Sequence, residues 1–532
     1  MARFVRWTAL GAAAALLVAG CSGASDGDGD DKGGTADAQP TASSDATATT
    51  AALPASLTGQ KLDWGRCKAT ADSAAPGSDW QCATLKVPLD WSKPDGDTIG
   101  LALVRTKSRA EGSKRAGSLL FNFGGPGGSG VSTLPSYGSA YSKLREQYDL
   151  VSWDPRGVGA SEGVRCRTDK GIQAAESLDS TPDTPAEEQA YFDDAVAFGE
   201  GCEKAAGTLL AHVSTTDTAR DMDLMREVLG DAKMHYFGIS YGTELGGVYA
   251  HLFPKNVGRL ILDAVVDPSA DSVGHARNQA RGFQRALDDY LESTGQDPAK
   301  GSKKIADLLD RIDSDPLPTS DGRKLTQTLA VTGIVLPLYS KQGWPSLTSA
   351  LKSAEDGDGS ELLTLADGYN ERDTSGHYGT TTHSQRVISC LDDKQRPTAE
   401  ETKKLLPEFE KISPVFGDFL GWDTAGWCHD WPVAGQYDTP EVSAAGAAPI
   451  LLVGNTGDPA TPYEGARKMA DELGKGVGVL LTWKGAGPWA ARVQPGETVR
   501  FMGPGGAYAP DTAALTSVAL LSQTEAPADR TG

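Results

Sequence analysis

Four short apolar runs, each closing on a glycine-rich turn or running into a helix, set the architecture of this chain. They are "GSLLFNFGGPGGSG", "YDLVSWDPRGVGAS", "MHYFGISYGTE" and "GRLILDAVV", lying between about Leu62 and Asp267. Strands covered on both faces read as unbroken apolar runs, and intervening helices force parallel pairing. One such helix is "TDTARDMDLMREVLG", with Met222, Met225 and Leu229 at helical spacing and Gly230 as a stop. The pattern predicts an α/β domain with a mostly parallel central sheet.

From Pro268 to about Trp427 that rhythm disappears. "GFQRALDDYLEST", "KKIADLLDRI" and "WPSLTSALKSAEDGDGSELLTLADGY" are amphipathic and predict an all-helical insertion over 268–427. Strand, helix and strand then return in "AAPILLVGNTGDPATP", "YEGARKMADELG" and "GVGVLLTW". A core formed by 59–267 and 428–487, interrupted by a helical lid, is therefore expected. No internal repeat is evident.

The N-terminus has the form of an export signal over 1–20. "MARFVRW" carries two arginines, and "TALGAAAALLVAG" is apolar but too short for a stable bilayer span. "LVAGC" resembles a bacterial lipobox, which makes Cys21 the expected lipid attachment site; ordinary cleavage beside an incidental cysteine is the plainer reading. Residues 21–58 are polar and low in complexity, as befits a solvated tether. The protein is thus expected outside the cytoplasm, as a cell-membrane lipoprotein or in secreted form. A formal net charge of -21 repels phosphate backbones and argues against nucleic acid as a partner.

Of seven cysteines, setting Cys21 aside leaves six: Cys67, Cys82, Cys166, Cys202, Cys390 and Cys428. None forms a CxxC, so a zinc or thioredoxin-type site is not expected. An even count in an exported chain predicts three disulfides. Pairing of neighbours (67–82, 166–202, 390–428) is favoured because it closes short loops. No metal, nucleotide or other cofactor motif stands out, and none is expected.

The chemistry-bearing motif is "FGISYGTELGG", a G-x-S-x-G between a strand-like run and a helix. Gly238 and Gly242 remove side chains that would clash across a sharp turn, which leaves the Ser240 hydroxyl at the carboxyl edge of the sheet. The Tyr241 amide then opens a helix N-terminus and can donate to an oxyanion. "FNFGGPGGSG" supplies a second loop whose glycines let a backbone amide approach a carbonyl. Gly125 is the preferred donor there and Gly124 the alternative. The acid is expected after a later strand, in the order nucleophile, acid, histidine; "ILLVGNTGDPATP" offers Asp458. The charges of "DPRGVGAS" are read as structural.

Taken in order, "FNFGGPGGSG", "DPRGVGAS", "GISYGTELGG", "ISCLD", "CHDWP" and "GNTGDPATP" resemble the secreted tripeptidyl aminopeptidases of the α/β-hydrolase fold, relatives of the prolyl aminopeptidases. The likeness runs from about Leu62 to Gly487. It implies a serine exopeptidase that removes short peptides from free N-termini, with Ser240 matching the nucleophile and Asp458 the acid. Phe123 departs from the pattern, since related enzymes often carry a polar or small residue before "GGPG".

A second departure is more consequential. The family's base follows the last strand in a "GAGH"-like turn, whereas this chain reads "GAGP" at Gly485–Pro488. Its seven histidines (His212, His235, His251, His275, His377, His383 and His429) all precede Asp458. His235 reads as a structural histidine, and His429 is the one substitute considered. Residues 488–532 form an atypical tail rich in Ala, Pro, Gly and Arg. A frameshift is the preferred account, and a genuinely divergent end of a retired enzyme the alternative. The expectation is a serine aminopeptidase-type hydrolase that lacks its base as written. Competing readings are an esterase of the same fold and a non-catalytic peptide-binding surface lipoprotein. An α-ammonium-binding carboxylate is expected from the lid or from near Glu244. The oligomeric state is not legible.

Overall fold

The computed structural model describes residues 53–70, 73–486 and 499–501. The export signal, Cys21, most of the tether and nearly all of the tail lie outside the described residues. Strands in chain order are β1 (Gly65–Arg66), β2 (Gln81–Pro88), β3 (Thr98–Thr106), β4 (Gly117–Asn122), β5 (Tyr148–Trp153), β6 (Met234–Ile239) and β7 (Val257–Asp263). They continue with β8 (Leu317–Pro318), β9 (Lys324–Leu325), β10 (Ile450–Gly457), β11 (Gly478–Ala486) and β12 (Val499–Phe501).

Ten of these form one sheet in the order β1-β2-β3-β5-β4-β6-β7-β10-β11-β12. Every pairing from β5 through β4, β6, β7 and β10 to β11 is parallel. The apolar runs explain this: β4 and β5 are buried at every position, as strands with helices on both faces must be. The flanks are antiparallel. β2 and β3 mix buried and exposed positions, because they lie toward one edge of the sheet. This order and hand of pairing, with the helical excursion between β7 and β10, is the α/β-hydrolase fold.

The inserted helices run from Ser272–Ser293 to Gly417–Gly426 and carry an apolar core of their own, with Phe283, Leu287, Ile305, Leu308, Ile334 and Phe416 among its buried members. Two expectations about this block need correction. It is not wholly helical, because β8 and β9 pair as a small antiparallel hairpin. Nor does all of it belong to the lid core: Val387, Ile388, Cys390 and Leu391 of helix Thr381–Asp392 pack into the cluster under the central sheet. Amphipathic spacing marks a helix without saying which layer it covers. At the other end, Leu57 is buried and joins the same cluster, so packing begins inside the stretch assigned to the tether.

Disulfides join Cys67 to Cys82, Cys166 to Cys202 and Cys390 to Cys428, the neighbour pairs. The third fastens helix Thr381–Asp392 to the segment leaving the last lid helix. Among the described residues no helix is long and apolar enough to cross a membrane.

Candidate active site

Register sets the level at which the loops leave the sheet. Asn122 at the end of β4 pairs with Gly238 near the end of β6, and Ile239 pairs with Asp263 at the end of β7. The 123–128 loop, Ser240 and the segment after Asp263 therefore emerge side by side at the carboxyl edge. Crevices at that edge are where ligands bind in open α/β sheets.

Ser240 sits in the turn between β6 and helix Tyr241–Leu252 with φ 56° and ψ -125°, a left-handed conformation rare for a residue with a side chain. Three bonds hold it there. Its amide donates to the Asp263 carbonyl at 3.1 Å, and its carbonyl accepts from the Thr243 amide and hydroxyl, each at 2.7 Å. Thr243 Oγ1 also accepts from the Val266 amide, which ties the turn to the loop after β7. The turn is so tight that a Cβ on Gly238 would lie 2.2 Å from the Gly242 carbonyl oxygen. Tyr236 hydroxyl donates to that same oxygen at 2.8 Å.

One cavity is lined by Gly125, Ser240, Tyr241, Val266, Asp267, His275, Asn278, Gln279, Thr461 and Glu464 among others. Gly125 and Tyr241, the two expected oxyanion donors, thus share it with the serine. The Gly124 amide donates instead to Asn122 Oδ1 at 2.9 Å, which removes the alternative. Phe123 belongs to an aromatic group with Phe121, Tyr137 and Tyr141.

Asp458 follows β10 and is fully buried. Its Oδ1 accepts from the amides of Ala460 and Thr461 at 3.0 and 2.9 Å, and its Oδ2 from the Thr461 hydroxyl at 2.9 Å. Burial pushes the carboxyl up to about 6 despite these bonds. Helix Ser272–Ser293 lies directly over this loop: a Cβ on Gly282 would meet the Pro459 carbonyl oxygen at 2.0 Å, and Arg285 donates to the Asp458 carbonyl at 2.9 Å. His275, Asn278, Gln279, Gly282 and Arg285 recur at helical spacing on that covering face.

The charges of "DPRGVGAS" are tied up structurally. Asp154 is buried and accepts from the Ser129 hydroxyl and the Val131 and Ala160 amides. Arg156, also buried, forks onto Asp221 with two bonds of 2.7 Å. His235 accepts from the Arg259 amide at 3.1 Å, and burial lowers it to about 4. His429 packs against the Phe192 ring at 4.4 Å and is not among the residues lining the Ser240 cavity. Glu244 is not among the residues lining the cavity. It is buried one turn along the helix from Ser240, accepts from Tyr437 at 3.4 Å, and is pushed up to about 8 by burial and by Asp392. The carboxylates that line the cavity are Asp267 and Glu464. Sequence reasoning missed His275 and Asp267; the spacing of His275 with Asn278 and Gln279 was the available signal.

Residues 413–500 match the family model described as TAP-like protein. That stretch extends past Gly487, beyond the end of the motif resemblance. The serine protease Hip1 of Mycobacterium tuberculosis is 35% identical over 452 residues, covering 80% of this chain and 85% of that protein. Tripeptidyl aminopeptidase of Streptomyces coelicolor is 30% identical over 426 residues, covering 76% of each. This chain belongs to the tripeptidyl aminopeptidase-like family of α/β-hydrolases. By family it is an enzyme of the serine hydrolase kind. Carboxylesterase B of M. tuberculosis, 33% identical over 444 residues and covering 79% of this chain and 83% of that protein, is a further relative.

Proposed function

We propose that this protein is an exported serine aminopeptidase-type hydrolase that releases short peptides, tripeptides in particular, from free N-termini. Ser240 is the nucleophile, Asp458 the acid, and the amides of Gly125 and Tyr241 the oxyanion donors. The observation that carries this reading is the strained Ser240 turn at a helix N-terminus, opening on a cavity shared with both amides. The relatives named serine protease and tripeptidyl aminopeptidase favour peptides as substrates. So does the cavity wall: Asn278, Gln279 and Thr461 suit a peptide backbone better than a long acyl chain, which counts against the esterase reading. Residues 59–267 and 428–487 would act as the catalytic body, 268–427 as its lid, and Cys21 as a lipid anchor.

The base is the missing part. With Pro488 where the family carries histidine, a serine hydroxyl has no dedicated proton acceptor and is a weak nucleophile. Loss of a central triad member costs about a millionfold in turnover. The 532-residue chain should therefore react with a serine-directed fluorophosphonate far more slowly than a form that carries the histidine. Restoring the alternative reading frame after Gly487 should bring labelling back, and Ser240→Ala in the restored form should remove it. The restored enzyme should cleave chromogenic peptides with free N-termini and ignore their acetylated forms. Equal rates on both would point to an endopeptidase or esterase. A restored form that binds peptides without turnover would favour the non-catalytic lipoprotein.

A further inference from the structure

The loss of the family's base poses a question that the lid helix answers. All seven histidines fall among the described residues, and His275 is the one that lines the Ser240 cavity. It stands on the first turn of helix Ser272–Ser293, whose close seat on the 458–462 loop is fixed by the Gly282–Pro459 approach and the Arg285–Asp458 bond. Its placement is thus set by packing.

A carboxylate accompanies it. Asp267, on the loop leaving β7, lines the same cavity and is 5% exposed. It accepts from Ser269 Oγ at 2.7 Å, Asn278 Nδ2 at 3.1 Å and Lys468 Nζ at 2.8 Å, so its position is fixed. The charged groups acting on His275 are Asp267 and Asp271, which favour the imidazolium, and Lys468, which opposes it. Burial outweighs them and lowers the imidazole below its ordinary range, which favours the neutral ring.

We propose that His275 serves as a makeshift general base for Ser240 in this chain. The inference rests on the serine hydrolase reading above. As Ser240 Oγ attacks the scissile carbonyl carbon, its proton passes to a ring nitrogen of His275. The imidazolium returns that proton to the leaving amine nitrogen as the C–N bond breaks. Water, losing a proton to the same imidazole, then attacks the acyl carbon, and the imidazolium returns that proton to Ser240 Oγ as the C–O bond of the ester breaks. Asp267 stabilises the transient imidazolium. A position on the lid rather than after the last strand makes the device slow.

The test measures slow fluorophosphonate labelling and peptide turnover in the chain as it stands, against Ser240→Ala, His275→Gln and His429→Gln. The unsubstituted chain should exceed Ser240→Ala by on the order of a hundredfold, the low end of what a positioned base contributes. His275→Gln should fall to the Ser240→Ala level, and His429→Gln should leave the rate unchanged. The proposal is overturned if His275→Gln matches the unsubstituted chain, or if that chain is no faster than Ser240→Ala. A control for folding is the melting temperature of His275→Gln, which should match that of the unsubstituted chain. If the restored form cannot hydrolyse peptides at all, the serine hydrolase reading fails. If it hydrolyses them while the original chain is inert, only the role of His275 fails.

Discussion

Arg156→Met is the perturbation that most sharply tests how the active-site edge is held. Arg156 is fully buried and binds Asp221 twice at 2.7 Å, with Asp217 3.8 Å away. It also donates to the carbonyls of Pro88, Leu89 and His212, so one guanidinium joins the end of β2, the loop after β5 and helix Thr215–Val228. Methionine keeps the apolar stem and deletes every one of those donors. Asp221, itself fully buried, is left with the Trp91 indole at 2.9 Å as its remaining donor. Breaking a buried pair from one side costs about 3–5 kcal/mol, and three carbonyls lose donors besides, so a loss of at least ~4 kcal/mol is expected. Against a total of about 5–15 kcal/mol that is a large fraction. Urea unfolding with disulfides intact measures it. Combining Arg156→Met with Asp221→Leu should recover most of the loss, because well-packed apolar replacements of buried ion pairs are often neutral. A single-variant loss below ~1 kcal/mol, or a double variant weaker than the single, would refute the reasoning.

Three further outcomes are expected. Burial and the charge of Asp392 raise Glu244 to about 8, and burial raises Asp392 to about 7, so the folded state holds extra protons from the unfolded carboxyl range of about 4 upward and stability falls until both groups ionise at about 7–8. Stability measured from pH 5 to 9 should fall over that window, and Glu244→Gln should flatten the slope; an unchanged slope would contradict the assignment. Gly238→Ala should abolish Ser240 labelling of the frame-restored form, since its methyl would lie 2.2 Å from the Gly242 carbonyl oxygen; full labelling would show that the turn relaxes. Cys21→Ala should move the protein out of the membrane fraction, and unchanged fractionation would count against lipidation.

What was legible in the sequence and what was not divide along a physical line. The positions of Ser240, Gly238 and Asp458 were legible because local rules govern them: a turn too tight for a Cβ, a serine at a helix start, an aspartate just past a buried strand. The same locality explains Gly125, whose alternative was removed only by Asn122, a neighbour two residues away. The role of Arg156 was half legible, since "DPRG" announces a turn but cannot name a partner 65 residues on. Everything contributed by the lid was hidden. Helix Ser272–Ser293 is strongly amphipathic, but periodicity places residues on a face without saying what that face covers. Its apolar side, with Phe283 and Leu287, builds the lid core. Its other side, through His275, Asn278, Gln279 and Gly282, closes over the acid loop and the serine. Glu244 shows the limit of reading along the chain: it stands four residues after Ser240, yet one helical turn carries it to Tyr437, and it does not line the cavity. Sequence proximity therefore predicts the Ser240 turn well and the groups around it poorly. With proline at 488, just past β11, where a histidine is expected, any replacement base comes from elements folded over the sheet, and among the seven histidines His275 on the covering helix is the one that lines the cavity.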